Sequence, residues 1–123
     1  MSVEETFETL RNILLEHIPP LRISSESSEH LTLNGNVETM QGRQKVDGIF
    51  FATIQKKEKD IRLYFFPVYT HEKAFSEMSV NLRKLLKGKS CFHIKKLDAP
   101  LKEEIQKIIM DGVREYKNAG LLA

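Results

Sequence analysis

Cys91 and His93 are the pair of residue types here most able to do chemistry. They stand two apart in Ser90-Cys91-Phe92-His93-Ile94-Lys95, where alternation predicts a strand, so they share one face and Phe92 and Ile94 take the other. A cysteine beside a histidine is the raw material of a thiolate nucleophile or a metal site. On one strand, however, neighbours at i and i+2 stand roughly 7 Å apart, too far for a direct hydrogen bond. The sequence names no third group to complete a catalytic set. A buried, inert cysteine beside a surface histidine accounts for the same spacing.

Gly88-Lys89-Ser90 matches the tail of a phosphate-binding loop. That motif needs a glycine five residues before its second glycine, and it runs from strand through loop to helix. Position 83 is Arg, and the expected order is helix, loop, strand, which turns the negative end of the helix toward the loop. A glycine helix cap with solvated lysines is the simpler reading. Tyr69-Thr70-His71-Glu72 follows the strongest strand, a sensible place for a ligand contact. It also reads as a helix start, with Thr70 capping and Glu72 near the positive end.

Glu4, Glu5, Glu8 and Glu16 lie along the first helix, where carboxylates can bind hard cations or iron. The same spacing is that of an ordinary solvated face. His17 and His30 are isolated in polar settings. Between Glu77 and Asp98 there is no acid, and Arg83, Lys84, Lys87, Lys89, Lys95 and Lys96 form a basic stretch. It lacks interleaved exposed aromatics and a helix-turn-helix pattern, and its lysines fall at both helical and strand spacings. Nucleic acid is therefore not the expected partner.

The elements that must position these residues follow from periodicity. Ser2 and Glu5 form a capping-box signature, and Phe7, Leu10, Leu14 and Ile18 recur at helical spacing, predicting a helix over 3–17 that Pro19-Pro20 ends. From 21 to 70 the period becomes two. Strands are expected near 21–24, 31–33 and 37–41, and most strongly over 48–56 and 61–68 around a solvated loop at 57–60. Pro67 should end the latter strand or place it at an edge. Helical signals return over 71–87, with Ser79 capping a short helix at 80–86 and Gly88 as its C′ residue. After the strand at 90–95, Asp98 and Pro100 open a last helix with Leu101, Ile105, Ile108, Ile109, Val113 and Tyr116 as its stripe and Gly120 at its end.

No βαβ rhythm exists, so a parallel nucleotide-binding sheet is not expected. The predicted fold is two-layer α+β. A twisted antiparallel sheet of about five strands carries the N- and C-terminal helices on one face, and a short helix precedes the last strand. One domain spans 1–123, without repeats or linkers.

The 123-residue length suits a single core. The apolar share of 41% is slightly below the usual ~45–50%, and charged residues make up 29%. No run approaches the ~20 apolar residues of a membrane span. The acidic start, Met1-Ser2-Val3-Glu4-Glu5, is unlike a signal peptide, so a cytoplasmic protein is expected. With one cysteine there is no internal disulfide and no cysteine-based metal cluster. Residues 1–38 hold seven acids and two bases, net −5, so the rest carries +7 of the overall +2.

The runs Tyr64-Phe65-Phe66-Pro67-Val68-Tyr69-Thr70-His71 and Leu85-Leu86-Lys87-Gly88-Lys89-Ser90-Cys91-Phe92-His93-Ile94-Lys95-Lys96, with the closing Tyr116-Lys117-Asn118-Ala119-Gly120, resemble the YdhG-like family. This is a bacterial domain of unknown function in the YdhG/YjbR/CyaY-type group, distantly frataxin-like. The resemblance spans 48–122 and is best over 88–96. It implies a two-layer α+β fold and no established enzyme activity. Some such proteins are described as frataxin-like iron chaperones. Frataxins use a dense acidic ridge, whereas the first helix here offers only Glu4, Glu5, Glu8 and Glu16, so no metal ligand is carried over.

The reading that follows is a non-enzymatic binding domain for a small anionic ligand or an acidic partner, with no cofactor. Its expected site lies between the sheet and the short middle helix, lined by Tyr64, Phe66, Tyr69, His71, Lys89, Cys91 and His93, with Lys89 and His93 meeting the anion. Iron binding by Glu4, Glu5 and Glu8 is the alternative, and a cysteine-dependent enzyme built on Cys91 is another.

Overall fold

The computed structural model describes residues 2–123. Helix α1 spans Val3–Leu15. Its capping box forms as expected: the Ser2 hydroxyl accepts the Glu5 N–H at 3.1 Å, and the Glu5 carboxylate accepts the Ser2 N–H at 3.2 Å. Phe7, Leu10, Ile13 and Leu14 make its buried stripe. Helical turns 16–20 then lead into the sheet.

The strands are β1 (Arg22–Glu26), β2 (His30–Asn34), β3 (Thr39–Gln41), β4 (Gln44–Val46), β5 (Phe50–Lys56), β6 (Ile61–Phe65), β7 (Leu86–Lys87) and β8 (Cys91–Ile94). Six make one antiparallel sheet in the order β1-β2-β5-β6-β8-β7, and β3 and β4 form a separate hairpin. Alternation sends Leu31, Leu33, Ile54, Ile61, Leu63, Phe65, Phe92 and Ile94 into the core. A bulge interrupts it: Leu33 pairs with Ala52 but Asn34 with Phe50. The extra residue, Phe51, turns inward, edge-on to Phe65 and Tyr116 with ring centroids 5.5 and 5.3 Å away. Phe50 consequently faces the other side.

Helix α4, Ala99–Asn118, starts with Asp98 accepting the Leu101 N–H at 2.9 Å. It buries Ile105, Ile108, Ile109, Val113 and Tyr116 in the same core as α1, so both terminal helices cover one face. Gly112 allows the closest approach: a Cβ there would lie 2.6 Å from the buried Phe65 ring. Among the described residues no helix is long and apolar enough to cross a membrane.

The middle segment departs from expectation. A short helical turn, α2 (Pro67–Thr70), follows β6, and the helical signal over 71–87 resolves into a 3₁₀ turn (Glu72–Phe75) and α3 (Val80–Arg83). Ser79 does cap α3, accepting the Leu82 N–H at 3.1 Å. Helix does not continue to 86, because Leu86 and Lys87 pair with Phe92 and Cys91 as a sixth strand of the sheet. Gly88, at φ +67°, is therefore the turn of the β7–β8 hairpin and not a helix cap. Pro67 does not carry β6 to its end at 68; β6 stops at Phe65 and Pro67 sits in the first turn of α2. Thr70 closes α2 instead of capping a helix, and its hydroxyl meets His71 Nδ1 at 2.8 Å.

Candidate ligand-binding surface

Opposite the helices, the sheet presents its other face in cross-strand rows. One row runs His30, Gln55, Arg62, His93. The next runs Thr32, Thr53, Tyr64, Cys91, Lys87. In it the Thr32 and Thr53 hydroxyls are hydrogen bonded. At the far end Asn34 faces Phe50, and Phe66 follows, its N–H donating to the Phe51 carbonyl at 2.9 Å. All these residues except Lys87, which is exposed, are partly exposed.

Cys91 and His93 do share this face, as their spacing predicts. Their cross-strand partners are the useful addition: Tyr64 lies opposite Cys91 and Arg62 opposite His93. Burial pushes the Cys91 thiol above its ordinary range, while the Tyr64 hydroxyl and the Arg62 charge work the other way and do not overcome it. The nearby Cys91 charge and then burial hold Tyr64 above its ordinary range too. Arg62 donates to the Asp60 carboxylate at 2.9 Å, which favours its charged form.

Lys89 belongs to a different place. From the β7–β8 turn its ammonium lies 5.1 Å from the centre of the Tyr69 ring. Tyr69 stacks on Phe66 at 6.0 Å, and Phe66 meets Phe50 at 5.5 Å. Tyr69 and Lys89 edge a cleft of about 850 Å³ with Phe75 and Leu86 on its apolar wall and Lys73 and Arg83 on its rim. Arg83 is steadied there by donating to the Phe75 carbonyl at 3.1 Å. Glu72 is the one acid in the lining.

The seven residues expected to line one site thus separate. Tyr69 and Lys89 meet at the cleft, with Phe66 stacked behind. Tyr64, Cys91 and His93 sit on the open sheet face and do not line it. His71 turns away, its ring centre 5.7 Å from that of the fully buried Tyr116. The division has a physical reason: Lys89 lies in a tight turn beyond the strand pairing, whereas Cys91 and His93 are fixed by it. Lys73, Arg83 and Phe50 were missed. Arg83 is legible in the sequence only as one of the cations of the basic stretch, Lys73 carries no signal of its own, and Phe50 is a strand residue with no side assigned, because a bulge leaves no mark in the hydrophobic pattern.

On α1, the Glu5 carboxylate is engaged in the capping box, which keeps it below its ordinary range. Glu4 approaches Lys56 at 4.0 Å. Among the described residues no three His, Cys, Asp or Glu side chains converge as a metal-holding group. No family model matches the chain, and neither the curated proteins nor the solved structures supply a significant match.

Proposed function

We propose that this protein is a non-enzymatic binding domain that takes an anionic ligand in the cleft rimmed by Lys73, Arg83 and Lys89. The carrying observation is the convergence of three cations from three separate segments, the 3₁₀ turn, α3 and the β7–β8 turn, against a single acid, Glu72. Gathering like charges disfavours the empty state, and an anion relieves it. The apolar wall of Phe75 and Leu86 lowers the local dielectric and strengthens the pairing. A cytoplasmic setting and kinship with the YdhG-like family are part of this reading. The lone cysteine supports the first, and the two-layer arrangement with helices at both termini supports the second.

Inorganic phosphate and ribose 5-phosphate titrated into ¹⁵N-labelled protein test it. Amide shifts are expected at Ser76, Gly88 and Lys89, and Lys73→Glu with Lys89→Glu should abolish them. If those amides stay still at millimolar ligand, the reading fails. A thiolate enzyme at Cys91 draws less support, because burial favours its neutral thiol.

A further inference from the structure

The aromatic row Tyr69, Phe66, Phe50 ends in a second cleft. On the far side of Phe50, about 720 Å³ opens between the sheet face and the β3–β4 hairpin. Arg22 lines it and donates to two neutral acceptors, the Asp47 carbonyl at 2.9 Å and the Gly35 carbonyl at 3.4 Å. Its charge meets no carboxylate at ion-pair distance among the described residues. Lys45, also in the lining, pairs with Glu38 at 2.9 Å, an exposed contact that a stronger anion can displace. Asn34 is in the lining too, but its Oδ1 is buried beneath the surface, without a hydrogen-bond partner.

Against the expectation drawn from the basic stretch alone, we infer that the row from the Lys89 cleft, along the contacting rings of Tyr69, Phe66 and Phe50, to the hairpin cleft binds single-stranded nucleic acid. The inference rests on the anion reading of the Lys89 cleft and extends it. Lys89 stands at one end, Arg22 and Lys45 at the other beside the single acid of that lining, Asp47, and rings lie between them, an arrangement suited to a chain of phosphates and flat bases. Lys89 covers Tyr69 by an exposed cation–π contact, so a base can take its place while the ammonium swings to a phosphate. A duplex keeps its bases stacked inside and cannot use this row.

Fluorescence anisotropy of a fluorescein-labelled oligo(dT) 12-mer at 50 and 200 mM NaCl tests it. Saturable binding is expected, with a log–log salt slope of about −2 if three phosphates are neutralised. Tyr69→Ala, a half-exposed position whose loss the fold tolerates, should weaken binding about tenfold. Lys89→Glu should weaken it as well. Absence of saturable binding, an unaltered affinity in Tyr69→Ala, or equal binding of a duplex of the same length overturns the inference. So does thymidine monophosphate binding as tightly as the 12-mer. If ribose 5-phosphate moves the Lys89 amide while the oligomer does not bind, this inference falls alone. If neither ligand binds, both readings fall.

Discussion

At Cys91 two neighbours pull in opposite directions. Burial favours the thiol, and the Tyr64 hydroxyl favours the thiolate by donating to it. Alkylation by iodoacetamide at pH 8 should therefore be slower than that of free cysteine, and Tyr64→Phe should slow it further. A rate above that of free cysteine would contradict this account. Tyr116 is the other titratable group set by its surroundings. Its hydroxyl donates to the Phe50 carbonyl at 2.5 Å, and burial holds its ionisation well above the ordinary tyrosine range. Because the folded state keeps this proton more tightly than the unfolded chain, its contribution is complete below the unfolded value of about 10 and declines as pH rises beyond it. Urea midpoints for wild type should fall between pH 9 and 11, with a smaller fall in Tyr116→Phe. At pH 7 that substitution should cost about 1–2 kcal/mol, since it orphans the Phe50 carbonyl. Equal alkaline slopes in the two proteins would count against Tyr116 as the source.

Among the elements, α4 joins the layers, and two of its residues set how. Asp98 satisfies an N–H at its start, so Asp98→Ala should lower stability by about 1 kcal/mol in denaturant titrations. Gly112 presents the opposite case to helix propensity. Alanine there would gain up to about 1 kcal/mol as a helix former. Its Cβ would also meet the Phe65 ring, which Phe51 and Phe75 hold edge-on at 5.5 Å each. Overpacking of about 1–3 kcal/mol should win, so Gly112→Ala is expected to destabilise. A stabilised variant would show that the helix can shift away. The starts of both terminal helices and the end of α4 were legible because caps are local chemistry: Ser2 with Glu5, Asp98, and Gly120, whose φ is +76°, whereas α1 stops at Leu15, short of the expected 17. The segment 71–87 was not legible, because Phe75, Met78 and Leu82 satisfy a helical period equally well as one helix or as two short turns.

Over the whole molecule, one core takes buried residues from α1, α4, the 3₁₀ turn and four of the sheet strands, β2, β5, β6 and β8. Leu14, fully buried on α1, touches this shared interior, so Leu14→Ala should cost about 2–5 kcal/mol. Far- and near-ultraviolet circular dichroism should still lose signal together, in one transition. Separate transitions would mean that α1 unfolds on its own. The charge asymmetry also acts at this scale. Acids of α1 lie on the helix layer, while Lys87, Lys89 and Arg62 belong to the uncovered side or the hairpin at its edge, so the cations face outward without a helix over them.

The sequence alone determined the two-layer α+β class, the helices at both termini, the strands that became β5, β6 and β8, and the face that Cys91 shares with His93. Each of these follows from spacing within one segment, where period and capping act over a few residues. Only the tertiary structure decided that Cys91 faces Tyr64, that Phe51 bulges inward and turns Phe50 outward, and that Lys73, Arg83 and Lys89 meet at one cleft. Those contacts join residues far apart in the chain, and strand register and packing, which no local pattern encodes, bring them together.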